Sequence, residues 1–108
     1  MDINAYQDWV SKFYKQRQWY DYDSFVRTVF LAEEVGELAR AVRAIEIGRD
    51  RPDENEAAHQ AKITNLREEM GDVLDNLLIL ADKYGFDMAE IIAEHQQKFL
   101  QRYGSNQE

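Results

Sequence analysis

Apolar residues along this chain recur at steps of three and four, and no segment alternates apolar with polar residues as a half-buried strand does. That periodicity confines the chain to an all-α architecture. The first segment shows it directly: Ile3, Tyr6, Val10 and Phe13 share one helix face, and Arg17 continues the step. It predicts a helix over 3–18, with Asp2 capping its start. "QWYDYDS" then interrupts the pattern. Asp23 or Ser24 is placed to cap a second helix, over 24–47, and Gly48 suits its C-terminal end. A charged connection, "GRDRPDENE", carries the single proline, Pro52, which fits a turn or a first helical turn. The third helix is expected over 54–84, polar in its first turns and followed by Gly85. Asp87 and Glu90 have the spacing of a capping box for a fourth helix over 88–103, which Gly104 ends. With no repeat and no dividing linker, the expectation is one four-helix domain across 1–108.

Composition narrows the function. With 108 residues, 44% of them hydrophobic, the chain is long enough for one core. A net charge of -8 disfavours nucleic-acid polymers and anionic membrane as partners. A phosphorylated substrate would need bound cations to approach such a surface. The absence of cysteine removes disulfides, thiol nucleophiles and Cys-based metal sites. "MDINAYQDWV" lacks the basic and apolar regions of a signal peptide, and no apolar run approaches a membrane span, so the expected compartment is the cytoplasm.

The informative stretch is "LAEEVGELARAV", residues 31–42. On a helical wheel with Val26 at the origin, Phe30, Leu38, Ala41 and Ile45 form an apolar arc. Glu37 falls at about 20° and Glu34 at about 80°, inside that arc, and Glu33 at about 340°, on its edge. A solvated face would put these acids opposite. Burying unpaired carboxylates costs several kcal/mol each, on the order estimated for ions after relaxation, so a cation must compensate. Arg27 reaches Glu34 only by lying along the stripe. The third helix repeats the feature: Glu69, Asp72 and Asn76 border the arc defined by Ile63, Leu66, Met70, Leu74 and Leu77.

Glu34-x-x-Glu37 and Glu69-x-x-Asp72 each place two acids on one helix surface, because residues three apart are neighbours there. A lone E-x-x-E is common on solvated helices. Two pairs on packed antiparallel helices bring four carboxylates together, which suits the hard cations Mg²⁺ or Mn²⁺.

With these motifs the chain resembles the all-α nucleoside triphosphate pyrophosphohydrolases of the MazG-like family. The resemblance rests on "EVGE" and "EMGD", on "RQW" ahead of "LAEEVGELARAV", on "LREEMGDVLDNLLILADKYGFDMAEII" and on "KFLQRYG". It covers roughly residues 10 to 104. It implies Mg²⁺-dependent cleavage of a nucleoside triphosphate between the α and β phosphates, giving the monophosphate and pyrophosphate, in the service of clearing unwanted nucleotides. By carry-over, Glu34, Glu37, Glu69 and Asp72 are metal ligands, and Lys98 and Arg102 are phosphate-binding candidates. The resemblance also implies a homodimer or homotetramer. Two positions depart from the pattern: Gln96 stands where relatives often have Asn, and no aromatic follows "EVGE", so base selectivity is not carried over.

The residues themselves admit these roles. Glu34 or Glu33 is placed to accept a proton from the attacking water. Lys98 and Arg102, four apart, share a face that either grips phosphates or complements the helix dipole. Asn76, one turn after Asp72, bonds either to substrate or to a ligand carboxylate. Trp19 either stacks on a base or belongs to the core or a subunit contact. Rival readings are a di-iron bundle, a non-enzymatic helical interaction module, and phosphoribosyl-ATP hydrolysis by the same chemistry. The first is weakened by having only two His, with one E-x-x-H spelling, Glu56 to His59.

Overall fold

The structure is a computed structural model that describes residues 1–48 and 58–104. It contains α1 (Ile3–Gln16), α2 (Ser24–Glu46), α3 (His59–Lys83) and α4 (Met88–Tyr103), and no strand occurs among the described residues. The all-α expectation is met. Each expected N-terminal cap is made where it is described. Asp2 Oδ1 accepts from the Ala5 N–H at 2.7 Å, Asp23 Oδ1 from Val26 at 2.9 Å, and Asp87 Oδ1 from Glu90 at 2.8 Å. Each offsets an N–H that the helix start leaves unpaired, a contribution of about 1 kcal/mol.

Two boundaries differ from the sequence reading by more than one residue. α1 ends two residues early, because the Tyr14 carbonyl accepts from Arg17, Trp19 and Tyr20 in a tight turn, with Gln18 at φ 65. For α3, the turn at Pro52 and the expected helical residues 54–57 lie outside the described residues; Ala58 is non-helical and His59 is first. Gly85, at φ 75, closes α3 in a left-handed conformation that an L side chain would strain.

The chain forms two compact units. One comprises Met1–Asp21 and the chain from Leu78 onward; the other is Tyr22–Leu77. In the first, Val10, Leu78, Ile79, Ala81 and Met88 form a buried core, flanked by Ile3, Tyr6, Tyr14 and Tyr20. Gln7 sits inside it, 3% exposed. Its Nε2 donates to the carbonyls of Leu78 (3.3 Å) and Phe86 (3.0 Å), and its Oε1 accepts from the Met88 N–H (2.9 Å). One side chain thereby satisfies backbone groups on both sides of the α3–α4 turn, groups that would be costly to leave unpaired.

The second unit is α2 beside the larger part of α3. Ala41 is buried, and Phe30, Leu38 and Ile45 are half-buried. Val26, Met70, Leu74 and Leu77 are 36% to 54% exposed, although the wheel puts them on apolar arcs. Two helices bury only the narrow seam between them, and residues toward the rim of each arc stay open. No helix among the described residues is long and apolar enough to cross a membrane.

Candidate metal centre

The second unit carries the acids. One carboxylate oxygen from each of Glu34, Glu37 and Glu69 lies within 4.8 Å of the others. The first two come from successive turns of α2 and the third from α3, so the cluster exists only because the two helices are side by side. Asp72 is not a member of that close group and is exposed, yet its charge acts on both Glu34 and Glu69.

The electrostatics are unfavourable for the acids alone. Burial is the largest cause raising the Glu34 pKa above its ordinary value, followed by the charges of Asp72, Glu37, Glu69 and Glu33. Burial also leads for Glu69, followed by Glu37, Asp72 and Glu68; a bond with Glu34 opposes them. Glu34 Oε2 and Glu69 Oε1 are buried and have no hydrogen-bond partner. Buried polar atoms are nearly always satisfied, so two orphaned carboxylate oxygens in one cluster fit a cation. An all-oxygen donor set fits Mg²⁺ or Mn²⁺.

Asn76 is 6% exposed. Its Oδ1 accepts from Arg27 Nη1 at 2.8 Å, and its Nδ2 donates to the Asp72 carbonyl at 2.9 Å. The side chain is thus tied to the turn of α3 that carries Asp72 and to α2. Glu33 is exposed on α2 and acts on Glu34 through its charge. Trp19, Lys98 and Arg102 belong to the other unit and are exposed there. Trp19 meets Tyr14 edge-on at 5.4 Å. His95 packs edge-on against Phe99, also in that unit. His59 is exposed at the start of α3, and its sequence partner Glu56 lies outside the described residues.

Arg27, which reaches Glu34 only by lying along the stripe, is buried, 4% exposed, with its Nη1 donating to Asn76 and its guanidinium 5.3 Å from the Phe30 ring centroid. A signal for that contact was available: Arg27 precedes Glu34 by seven residues, as Glu69 precedes Asn76.

Residues 27–105 match the MazG nucleotide pyrophosphohydrolase domain, and the chain belongs to that family. It is 48% identical over 103 residues to the uncharacterised protein YvdC of Bacillus subtilis (strain 168), covering 95% of this chain and 97% of that one. Its fold is similar to that of YPJD from Bacillus subtilis, a candidate pyrophosphatase known from a crystal structure. That similarity has a TM-score of 0.65 at 22% identity and covers 97% of each chain.

Proposed function

We propose that this protein is a Mg²⁺-dependent pyrophosphohydrolase that converts a ribo- or deoxyribonucleoside triphosphate and water to the monophosphate and pyrophosphate. The observation that carries the proposal is the meeting of Glu34, Glu37 and Glu69 around two buried oxygens without partners. In this reading Glu34, Glu37, Glu69 and Asp72 hold the divalent cation, with Mn²⁺ as a substitute. When bound, the cation offsets phosphate charge and acidifies water at the site.

The chain's own residues divide the remaining work. Four carboxylates supply the negative charge that seats cations on an otherwise repelling surface. Glu34, whose burial favours its protonated form, or Glu33 beside it, accepts the proton of the attacking water. Lys98 and Arg102 hold the phosphates, Trp19 stacks on the base, and Asn76 either contacts the nucleoside or supports Asp72. The cellular task is removal of unwanted nucleotides in the cytoplasm. Assembly as a homodimer or homotetramer belongs to the same reading. It is supported by the exposure of Phe25, Val29, Met70 and Leu77, and by Gly36 and Gly71, which have open space where a Cβ would stand.

A panel of natural and modified triphosphates, with phosphoribosyl-ATP as a separate arm, tests the activity. The expected result is pyrophosphate release that requires Mg²⁺. Glu37→Gln should lower it by more than about a hundredfold, since even the outer hydrogen-bonding partners of metal ligands are worth ten- to a hundredfold. Wild-type protein that releases no pyrophosphate from any of these substrates with Mg²⁺ refutes the assignment.

A further inference from the structure

Residues 9–20, "WVSKFYKQRQWY", stand apart in a chain of net charge -8: they hold Lys12, Lys15 and Arg17, five aromatic residues and no acid. The end of this segment folds into a fixed turn after α1, within the first unit. The Tyr14 carbonyl accepts from the N–H groups of Arg17 (3.2 Å), Trp19 (3.0 Å) and Tyr20 (3.3 Å). Gln18, alone among the described non-glycine residues, has a positive φ, 65. That conformation costs free energy for a residue with a Cβ, and it persists where neighbours hold it, ligand sites among them. Arg17 is held as well. Its Nη1 donates to the Phe13 carbonyl at 3.1 Å, and its guanidinium lies 3.4 Å from the Phe13 ring centroid and 5.8 Å from that of Trp19. The turn thus presents a Trp19 ring that is 46% exposed and backed edge-on by Tyr14.

The next residue, Tyr20, gathers two cations. The Lys15 ammonium lies 4.7 Å and the Lys83 ammonium 4.4 Å from its ring centroid. Among the described residues, neither lies within ion-pair distance of a carboxylate. Asp82, adjacent to Lys83 in sequence, accepts through Oδ2 from Ser11 and Tyr20 instead. Each lysine occupies the last turn of its helix, where it complements the negative end. That role accounts for each lysine singly. It does not account for their convergence on one ring, where like charges repel. In a chain with 21 acids against 13 Lys and Arg, two ammonium groups that meet without a carboxylate leave local positive charge for an anion from outside.

We propose that Lys15 and Lys83 form a phosphate seat which, with the Trp19 ring, anchors a nucleoside phosphate without a metal ion. The proposal deepens the proposed function, rests on its reading of Trp19 as the base-stacking ring, and adds a second pair of cations to Lys98 and Arg102. An open aromatic ring and a cation pair at one turn match the two halves of such a ligand. A nucleoside offers only the ring, and pyrophosphate only the charge.

The indole N–H signal of Trp19, assigned with Trp9→Phe, reads occupancy by NMR in EDTA at low salt. The probes are ATP, GTP, CTP and dTTP, their nucleosides, inorganic pyrophosphate and, as a separate arm, an oligothymidylate. At least one triphosphate should shift the signal at a concentration about tenfold or more below that of its nucleoside, the size of a hydrogen bond to a charged group. Lys15→Gln with Lys83→Gln should remove that advantage and leave nucleoside binding unchanged, whereas Lys15→Arg with Lys83→Arg should keep it. Added salt should weaken triphosphate binding in the wild type and hardly affect the Gln pair. If the Gln pair unfolds, Lys15→Glu, at an exposed position, takes its place and should repel the phosphates. The seat is overturned by a triphosphate advantage that survives these substitutions in folded protein, by triphosphates that bind no better than nucleosides, or by no shift with any triphosphate. An oligothymidylate that outcompetes every mononucleotide overturns it in favour of a nucleic-acid strand. Because no metal is present, these readings are separate from Mg²⁺-dependent pyrophosphate release. Hydrolysis without the seat leaves the proposed function standing, and a seat without hydrolysis refutes only the enzyme.

Discussion

Two half-buried clusters of acids and their neighbours can be set side by side, one in each unit. In the unit built on α1, α4 and the end of α3, Asp82 has two side-chain donors. Its Oδ2 accepts from Ser11 Oγ at 2.9 Å and from Tyr20 Oη at 2.7 Å. The Lys15 and Lys83 ammonium groups lie 4.7 Å and 4.4 Å from the centroid of the Tyr20 ring. Burial, with the bond to Asp82 and its charge, pushes the Tyr20 pKa up to about 12, so the phenol stays a donor across the ordinary pH range. In the other unit, Glu34 and Glu69 face more acids and keep buried oxygens without partners. The first acid is positioned by donors that the chain itself provides. The second group has no such donors on its two buried oxygens. A satisfied carboxylate contributes stability; an unsatisfied cluster costs stability and is retained where it does chemistry.

The contrast breaks most sharply with metal. Mg²⁺ at a hundred times its dissociation constant should stabilise the protein by about 2.7 kcal/mol. The gain, seen as a rise in melting temperature over an EDTA control, should vanish in Glu69→Gln and persist in Tyr20→Phe. A rise that Glu69→Gln retains would place the cation elsewhere.

Next in size is the loss of a donor from the satisfied acid. Tyr20→Phe should cost about 2 kcal/mol in urea unfolding, the range for a hydrogen bond to a charged group. Wild-type stability should also decline as pH rises from 10, the phenol's ordinary value, through about 12. The folded state binds the proton more tightly than the unfolded one there, so ionisation favours unfolding. Tyr20→Phe removes that decline.

The smallest effect has the opposite sign. In EDTA, Glu34→Gln should raise the melting temperature by a few degrees, about what a fraction of a kcal/mol gives in a domain of this size. It removes a half-buried charge that its neighbours repel. The pH dependence has a matching direction. Glu34 and Glu69 have folded pKa values above their ordinary 4.5, so the folded state holds the extra protons. Metal-free stability should therefore fall as pH rises from about 4.5 through those raised values, and level off above them. Glu34→Gln flattens the slope. A destabilising Glu34→Gln in EDTA would contradict the account of the cluster as strained without metal.

Much of this was legible in the chain. Asp2, Asp23 and Asp87 announced helix starts because capping is local chemistry, decided within four residues. Glu34 and Glu37 were visible as site residues because a helix of known period places them among Phe30, Leu38 and Ala41. The exposure of Val26 and Met70 was not legible, because a wheel shows which face is apolar and not how much of it a neighbour covers. Ser11, Tyr20 and Asp82 escaped notice for a related reason. Asp82 follows Ser11 by 71 residues and Tyr20 by 62, and no periodicity links such distances.

Sequence alone determined the helices, their caps, and which acids share a face, since each follows from rotation and rise along a single backbone. The tertiary structure decided which faces meet. It set Asn76 against Arg27, drew Glu69 to Glu34 and Glu37, and left Asp72 at the edge of the group. The reason is that interhelical register is a competition between whole seams. One heptad of slip exchanges every partner while leaving each helix, taken singly, unchanged.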